Sequence, residues 1–316
     1  MTGKGQYRRF KFAFLLVGLI SCATPKLPVN QEGSPGNALD RAKLAPIDIQ
    51  AELSSHDLAA GTIGLVSIHL PDNLRHKKIS AEFDGNEFPF FKSSSPDPGE
   101  FQAILPVPYD RKPGPGVVTI YIGEGADEKK AQVSLQVVEG NYSSEVLHVS
   151  AGKVNPTKKK VLARIIKEQA EVAEIYKKVT PTKFWAGPFA YPINSKVTSA
   201  FGTKRLYNGK LKNFHPGLDL KAPMRTPIYA PAPGVVVLAK NLFYTGNTVI
   251  LDHGYGLITL YAHMNQIQVK TGQAVQAKDL LGLSGNTGRV NGPHLHWQAV
   301  VHRVKINPVG LVQVIR

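Results

Sequence analysis

The chain has 316 residues, room for two modest domains and their linkers. Hydrophobic residues, at 42%, are enough to bury a core, while 29 Gly and 23 Pro favour turns and short strands over long helices. A single cysteine excludes any disulfide within the chain, and a formal charge of +15 draws it to anionic surfaces, whether cell-wall polymers, lipid head groups or nucleic acid.

The first 22 residues read MTGKGQYRRFKFAFLLVGLISC. Lys4, Arg8, Arg9 and Lys11 form a positive start, and Phe12 to Ile20 is an apolar run too short to span a bilayer as a mature helix. Cys22, the lone cysteine, follows Leu19-Ile20-Ser21. This resembles the lipobox of bacterial lipoprotein precursors. The resemblance implies a signal peptide over 1–21, cleavage before Cys22 and lipidation of Cys22, with the rest of the chain exported. Cleavage would remove four positive charges and no acid, leaving +11. Several acyl chains on one residue anchor firmly where one binds marginally. Ala23 after the cysteine resembles the outer-membrane sorting pattern, so the expected location is the periplasmic face of the outer membrane. Residues 22–45 are polar, with Pro and Gly and no periodicity, and read as a flexible tether.

Residues 46–150 alternate apolar and polar positions in short runs. IDIQAEL, GLVSIHL, KISAEF, VVTIYI and AQVSLQVV are the expected strands, and Asp84-Gly85 between ISAEF and NEFPFF signals a hairpin. This predicts an antiparallel sandwich or barrel. His56, His69, His76 and His148 are scattered through it and form no constellation.

Residues 151–180 contain a linker helix. Val161, Ile165, Val172, Ile175 and Val179 fall on one stripe broken only by Glu168; Thr157 is placed to cap the start, and Thr180-Pro181 ends the run. From 181 to 316 the β pattern returns, with GVVVLAK, NTVILDH, LITLYAHM and HLHWQAVV as strands and PAPG, NG and SGNTG as turns. Six of the ten histidines lie between His215 and His302, so any histidine chemistry belongs here.

Three short pieces carry that chemistry. In GPHLHW, His294 and His296 share one strand face, with Leu295 turned into the core. In FHPGLDL, His215 and Asp219 stand four apart, and the intervening Pro and Gly favour a turn leading into a strand. In LYAHM, Tyr261 and His263 lie two apart, on one face of a regular strand. Alone, each pattern is unremarkable. A catalytic zinc site needs three such ligands and an open fourth position.

Together the pieces resemble the lysostaphin-like (LytM-type) zinc metallopeptidases of bacterial peptidoglycan. That family carries H-x-x-x-D, a mid-domain strand histidine and H-x-H, in this order. The likeness runs from about Tyr191 to Pro308 and includes VTSAFGTKRLYNGK, APMRTPIYAPAPGVVV and LSGNTGRVNGPHLHW. It also resembles the lipoprotein form with an extra N-terminal β domain. The implied fold is mainly β: an N-terminal antiparallel β-sandwich or barrel, a linker helix and a C-terminal antiparallel β peptidase domain. The implied metal is one Zn²⁺ held by His215, Asp219 and His296. His263 and His294 are implied as the catalytic pair, one handling the proton and the other bonding the oxyanion, with the order left open. The implied activity is hydrolysis of peptide cross-links, expected to be D-alanyl-meso-diaminopimelate bonds, in wall growth, remodelling or lysis. Expected partners are peptidoglycan, the membrane through Cys22 and other cell-wall proteins, with no nucleic acid. Two alternatives stand beside this: a non-catalytic activator or scaffold for other wall hydrolases, and an N-terminal domain that binds the wall or a partner or lies over the cleft as a lid. Asn208 either contacts substrate or forms the Asn-Gly turn, His253 shapes a turn, His302 is exposed, and Ser284 to Gly288 lacks the Lys-Ser/Thr of a phosphate loop.

Overall fold

The structure, a computed structural model, describes residue 41 and residues 44–147, 158–207 and 211–315. The segment 1–21, Cys22, most of the tether, His148, Thr157 and Asn208 lie outside the described residues. Among the described residues, no helix is long and apolar enough to cross a membrane.

Nine strands build the first β unit: β1 (Ala51–Leu53), β2 (Asp57–Ala59), β3 (Ile63–His69), β4 (Ile79–Phe83), β5 (Asn86–Pro89), β6 (Phe91–Lys92), β7 (Glu100–Pro106), β8 (Gly114–Ile122) and β9 (Lys129–Val138). They form two sheets, β1-β3-β7-β6 and β2-β9-β8-β4-β5. Val66 and Ile68 of one face Ala81, Val118 and Ile120 of the other in a common core, so the unit is a sandwich. All neighbours are antiparallel except β2 beside β9. The hairpin at Asp84-Gly85 forms as expected. Both residues have positive φ, 49° and 73°, which a two-residue type I′ turn requires. The run from Ile47 begins its ladder only at Ala51; Ile47 and Ile49 pack on the core without being strand. β7 carries no alternation to read, because Ala103, Ile104, Leu105 and Pro106 are all buried. Its inner side meets the sandwich core, while Ile104 joins Ile63 and Phe91 against the second unit.

β10 (Ser144–Leu147) leaves the sandwich, and helix α1 (Lys159–Lys177) follows. α1 lays Val172, Ile175 and Tyr176 on Leu238, Leu260 and Val300. The Glu168 that interrupts the stripe faces the sheet as well: its carboxylate accepts the backbone N–H of Phe243 at 2.7 Å and Arg164 Nε at 2.6 Å. Val179, assigned to the stripe from its spacing, stands beyond the last turn and is exposed.

The second unit contains β11 (Val197–Ser199), β12 (Lys204–Tyr207), β13 (Leu211–Phe214), β14 (Leu218–Lys221), β15 (Pro227–Tyr229), β16 (Gly234–Leu242), β17 (Gly246–Gly254), β18 (Leu257–Ile267), β19 (Ala274–Val275), β20 (Leu280–Ser284), β21 (His294–Val301) and β22 (Val304–Ile306), then α2 (Val309–Val314). Its main sheet runs β11-β14-β21-β18-β17-β16-β19, antiparallel throughout. Leu218, Leu220, Tyr261, Leu295 and Trp297 fill the core on one face, and Ile250, Leu260 and Ala262 lie on the other, under α1. The two β units share a third core, in which Ile63, Phe91 and Ile104 meet Trp185, Phe189, Leu257 and Val301.

Candidate metal centre

Sheet register assembles the centre. β14 and β21 pair so that Asp219 stands opposite His296, and β21 pairs with β18 so that His296 stands opposite Ala262. His215 sits between β13 and β14, in the turn that the Pro and Gly of HPGLD suggested. Gly217 makes that turn fit: a Cβ there would stand 2.6 Å from His296 Cε1 and 2.7 Å from the Trp297 carbonyl oxygen. Only a residue without a side chain lets the turn pass the ring.

Three donor atoms converge. His215 Nε2 lies 3.0 Å from Asp219 Oδ1 and 3.0 Å from His296 Nδ1, and His296 Nδ1 lies 2.8 Å from Asp219 Oδ1. All three residues are buried. His215 Nδ1 is 3.0 Å from the Ala200 carbonyl, which can only accept, so Nδ1 carries the proton and Nε2 offers its lone pair inward. Burial alone would push the Asp219 carboxyl up, but the hydrogen bonds and charge of His215 and His296 outweigh it and hold the carboxyl well below the usual carboxylate range. Three donor atoms this close need either protons shared between them or a cation among them. Tetrahedral ligands at ~2.05 Å from a metal stand about 3.3 Å apart, close to the spacing seen. The donor set therefore fits a divalent metal.

His263 and His294 complete the group, with ring centroids 4.9 Å apart; His263 is 6.0 Å from His296. His294 Nε2 is 3.7 Å from Asp219 Oδ1, and its side chain, 20% exposed, lies on the open side. Each has its Nδ1–H bound to a carbonyl, Thr287 for His263 and Gly292 for His294, both at 2.9 Å. Each is left with a bare Nε2 that can take a proton. Burial, and then the nearby rings of His296 and His294, push His263 down to about 3 against the pull of the Thr287 carbonyl, so it is neutral.

The expectation that Tyr261 and His263 share one strand face is corrected here. Tyr261 faces the core beside Trp297. His263 turns to the opposite face, because its φ is +63° and the β17–β18 register shifts between Asn247 and Val249. This β-bulge re-aims the side chain toward the site. The SGNTG loop supports the bulge. Thr287 Oγ1 donates to Met264 O at 2.7 Å and accepts Asn247 N–H at 2.9 Å, while Gly285 O accepts His294 N–H at 3.3 Å. Thr287 is a site-supporting residue with no local signal in the sequence; its hydroxyl holds the bulge and its backbone carbonyl accepts the His263 Nδ1–H, and both partners reach it only once the sheet has formed.

Two further readings are corrected. His253 is a fully buried strand residue of β17, not a turn residue; it donates Nδ1–H to Pro233 O at 2.7 Å and accepts from Thr259 at 2.8 Å, and burial pushes it down to about 4. Thr259 in turn accepts the Tyr261 hydroxyl at 2.8 Å. His302 is half-buried against Phe88, with ring centroids 5.2 Å apart, rather than exposed.

Comparison with known proteins places this geometry. Residues 213–308 match Peptidase family M23. Peptidoglycan DD-endopeptidase ShyA of Vibrio cholerae is 43% identical over 120 residues, which is 37% of this chain and 28% of that protein. DD-carboxypeptidase/endopeptidase Mpg of Neisseria meningitidis is 34% identical over 122 residues, 38% of this chain and 27% of that one. The match thus spans little more than a quarter of these relatives' length. A crystal structure from Pseudomonas aeruginosa described under peptidase M23 superposes with a TM-score of 0.61 at 25% identity, covering 82% of this chain and 96% of that one, so the likeness reaches beyond the C-terminal unit. The C-terminal β unit, which holds His215, Asp219, His263, His294 and His296 together, is a peptidase family M23 domain.

Proposed function

We propose that this chain is a zinc-dependent endopeptidase that hydrolyses peptide cross-links of bacterial peptidoglycan, held at the membrane through lipidated Cys22. The observation that carries the reading is the approach of His215 Nε2, Asp219 Oδ1 and His296 Nδ1 to within 3.0 Å of one another, with two further histidines beside them. His215, Asp219 and His296 would hold the ion. Two neutral imidazoles and one carboxylate leave it net positive, able to acidify a water and polarise a carbonyl. His263 and His294 stay off it. Their Nδ1–H bonds to Thr287 and Gly292 fix each ring, so the bare Nε2 atoms can take a proton and return it to a leaving amine, or donate to an oxyanion once protonated.

The D-alanyl-meso-diaminopimelate bond is the substrate favoured by the names of the relatives, which are DD-endopeptidases. A non-catalytic activator is disfavoured because all five side chains converge. The apolar leader ending in Ser21-Cys22-Ala23 supports a lipoprotein on the periplasmic face of the outer membrane. The test is digestion of defined cross-linked muropeptides by residues 23–316, read by mass spectrometry. Dimers should fall to monomers, with activity lost to a chelator and restored by Zn²⁺. Intact dimers with zinc-loaded protein would overturn the reading. Mass spectrometry of Cys22 should show acyl groups; an unmodified thiol on a released protein would refute the anchor.

A further inference from the structure

We propose that Tyr109 of the N-terminal sandwich and Tyr142, just beyond its last strand, are positioning residues for His215, and that the sandwich is a brace of the metal centre. The inference rests on the reading of His215 as a metal ligand.

The link between them is the turn Ala200-Phe201-Gly202-Thr203. This turn holds His215 on three sides. Ala200 O accepts its Nδ1–H at 3.0 Å, Gly202 N–H donates to its carbonyl at 2.8 Å, and its own N–H donates to Thr203 O at 2.9 Å. Ser199 Oγ lies 3.3 Å from the same Nδ1. The orientation of the inward Nε2 is therefore set by where this turn sits.

The turn is in its place because the sandwich holds it there. Tyr109 donates its hydroxyl to Gly202 O at 3.1 Å and stacks on Phe214, the residue before His215, with centroids 4.2 Å apart and planes 9° from parallel. Tyr142 lies flat on Gly202. A Cβ there would stand 2.3 to 2.6 Å from the tyrosine ring, and the φ of +79° independently demands glycine. Tyr142 is itself fastened to the sandwich by its hydroxyl, which donates to Ala60 O at 2.6 Å. Phe201 is buried between the two tyrosines. Next to this block, Ser143 O accepts Lys204 N–H at 2.8 Å, and β10 adds to β12 as a parallel neighbour, extending the β12–β13 hairpin into a three-stranded sheet that leads directly into His215. A unit with no residue among the metal-binding donors thus fixes the backbone that carries one of them.

A brace and an inhibitory lid make opposite forecasts. If the contact only covers the cleft, loosening it frees the site. If it orients His215, loosening it weakens the metal. The test uses residues 23–316 with Tyr109→Phe, Tyr109→Ala and Tyr142→Ala, and Tyr121→Phe as a control that removes a hydroxyl bonded to Glu82 elsewhere in the sandwich. Co²⁺ is titrated and its visible d–d spectrum recorded, and Zn²⁺ affinity is read by chelator competition. Loss of a ligand's supporting shell typically weakens metal binding about 10- to 100-fold. Tyr109→Ala and Tyr142→Ala should lose affinity on that scale with an altered Co²⁺ spectrum. Tyr109→Phe, which keeps the stack and loses the hydroxyl, should recover most of it, and Tyr121→Phe should bind as the parent does. Should an alanine variant not fold, Tyr109→Phe decides, since the brace requires a measurable loss from the hydroxyl alone. Parental affinity and spectrum in folded variants would overturn the brace, as would a rise in muropeptide cleavage with affinity unchanged. A parent that binds neither Co²⁺ nor Zn²⁺ would overturn the metal reading itself, and the brace with it.

Discussion

Gly217 and His296 are packed edge to edge: the place a Cβ would occupy on residue 217 is 2.6 Å from Cε1 and 2.7 Å from Nε2 of the imidazole. The glycine of HPGLD is thus a space left for a donor contributed by another strand, 79 positions later in the chain. Gly217→Ala should displace that ring. A misplacement of about 1 Å near reacting groups can cost ~100-fold in rate. Zinc content and kcat/KM should fall together, and the melting temperature should fall as well, because the same Cβ would stand 2.7 Å from the Trp297 backbone carbonyl oxygen. Full zinc and unchanged kcat/KM in this variant would contradict the packing.

Thr287 holds the bulge that turns His263 toward the centre, through Met264 O at 2.7 Å and Asn247 N–H at 2.9 Å. Thr287→Val keeps the shape and removes both bonds. We expect kcat to fall by roughly 10-fold or more, as for a misaligned proton-transfer group, with zinc retained. Loss of zinc would show that the loop supports the donors instead.

Glu168 tests the helix without touching the site. Glu168→Ala leaves Phe243 N–H without its side-chain acceptor and should cost about 1–2 kcal/mol in urea unfolding, with cleavage per folded molecule unchanged. A neutral substitution would mean that the polar break in the stripe is incidental.

His253 makes stability depend on pH. Its folded value is pushed down to about 4 from an ordinary value near 6.5. Below about pH 6.5 the unfolded chain takes up a proton that the folded chain refuses until about pH 4. The stabilisation is therefore complete above that window and is lost as pH falls through it, by on the order of 3 kcal/mol. His302, pushed down to about 4 by burial, adds in the same direction. Urea midpoints for His253→Gln should start lower at pH 7.5 and decline less steeply to pH 4.5. Parallel curves would contradict the assignment.

Much of this was legible in the sequence for identifiable reasons. HLHWQAVV matches β21 at both ends, and Asp84-Gly85 names its turn, because period-two faces and positive-φ residues are local properties. The His-Pro-Gly-Leu-Asp turn was readable for the same reason. β7 was missed because burial on both faces erases alternation, and that burial depends on a second unit encoded a hundred residues away. The reversal of His263 was invisible because a histidine at positive φ carries no local signal. Its bulge is imposed by Gly246 and Thr287, whose contact exists only after β17 and β18 have paired. The tyrosine block around Gly202 was hidden in the same way, in aromatics that read as ordinary core.

The sharpest measurement separates the twin histidines of the H-x-H pair. Zinc stoichiometry and muropeptide turnover should be determined on residues 23–316 carrying His294→Ala or His296→Ala. His296→Ala should lose both zinc and turnover, and His294→Ala should keep close to one zinc per chain while losing turnover. Zinc lost from His294→Ala but kept by His296→Ala, or cleavage surviving in either variant, would contradict the division of the five residues into three that hold the metal and two that move the proton.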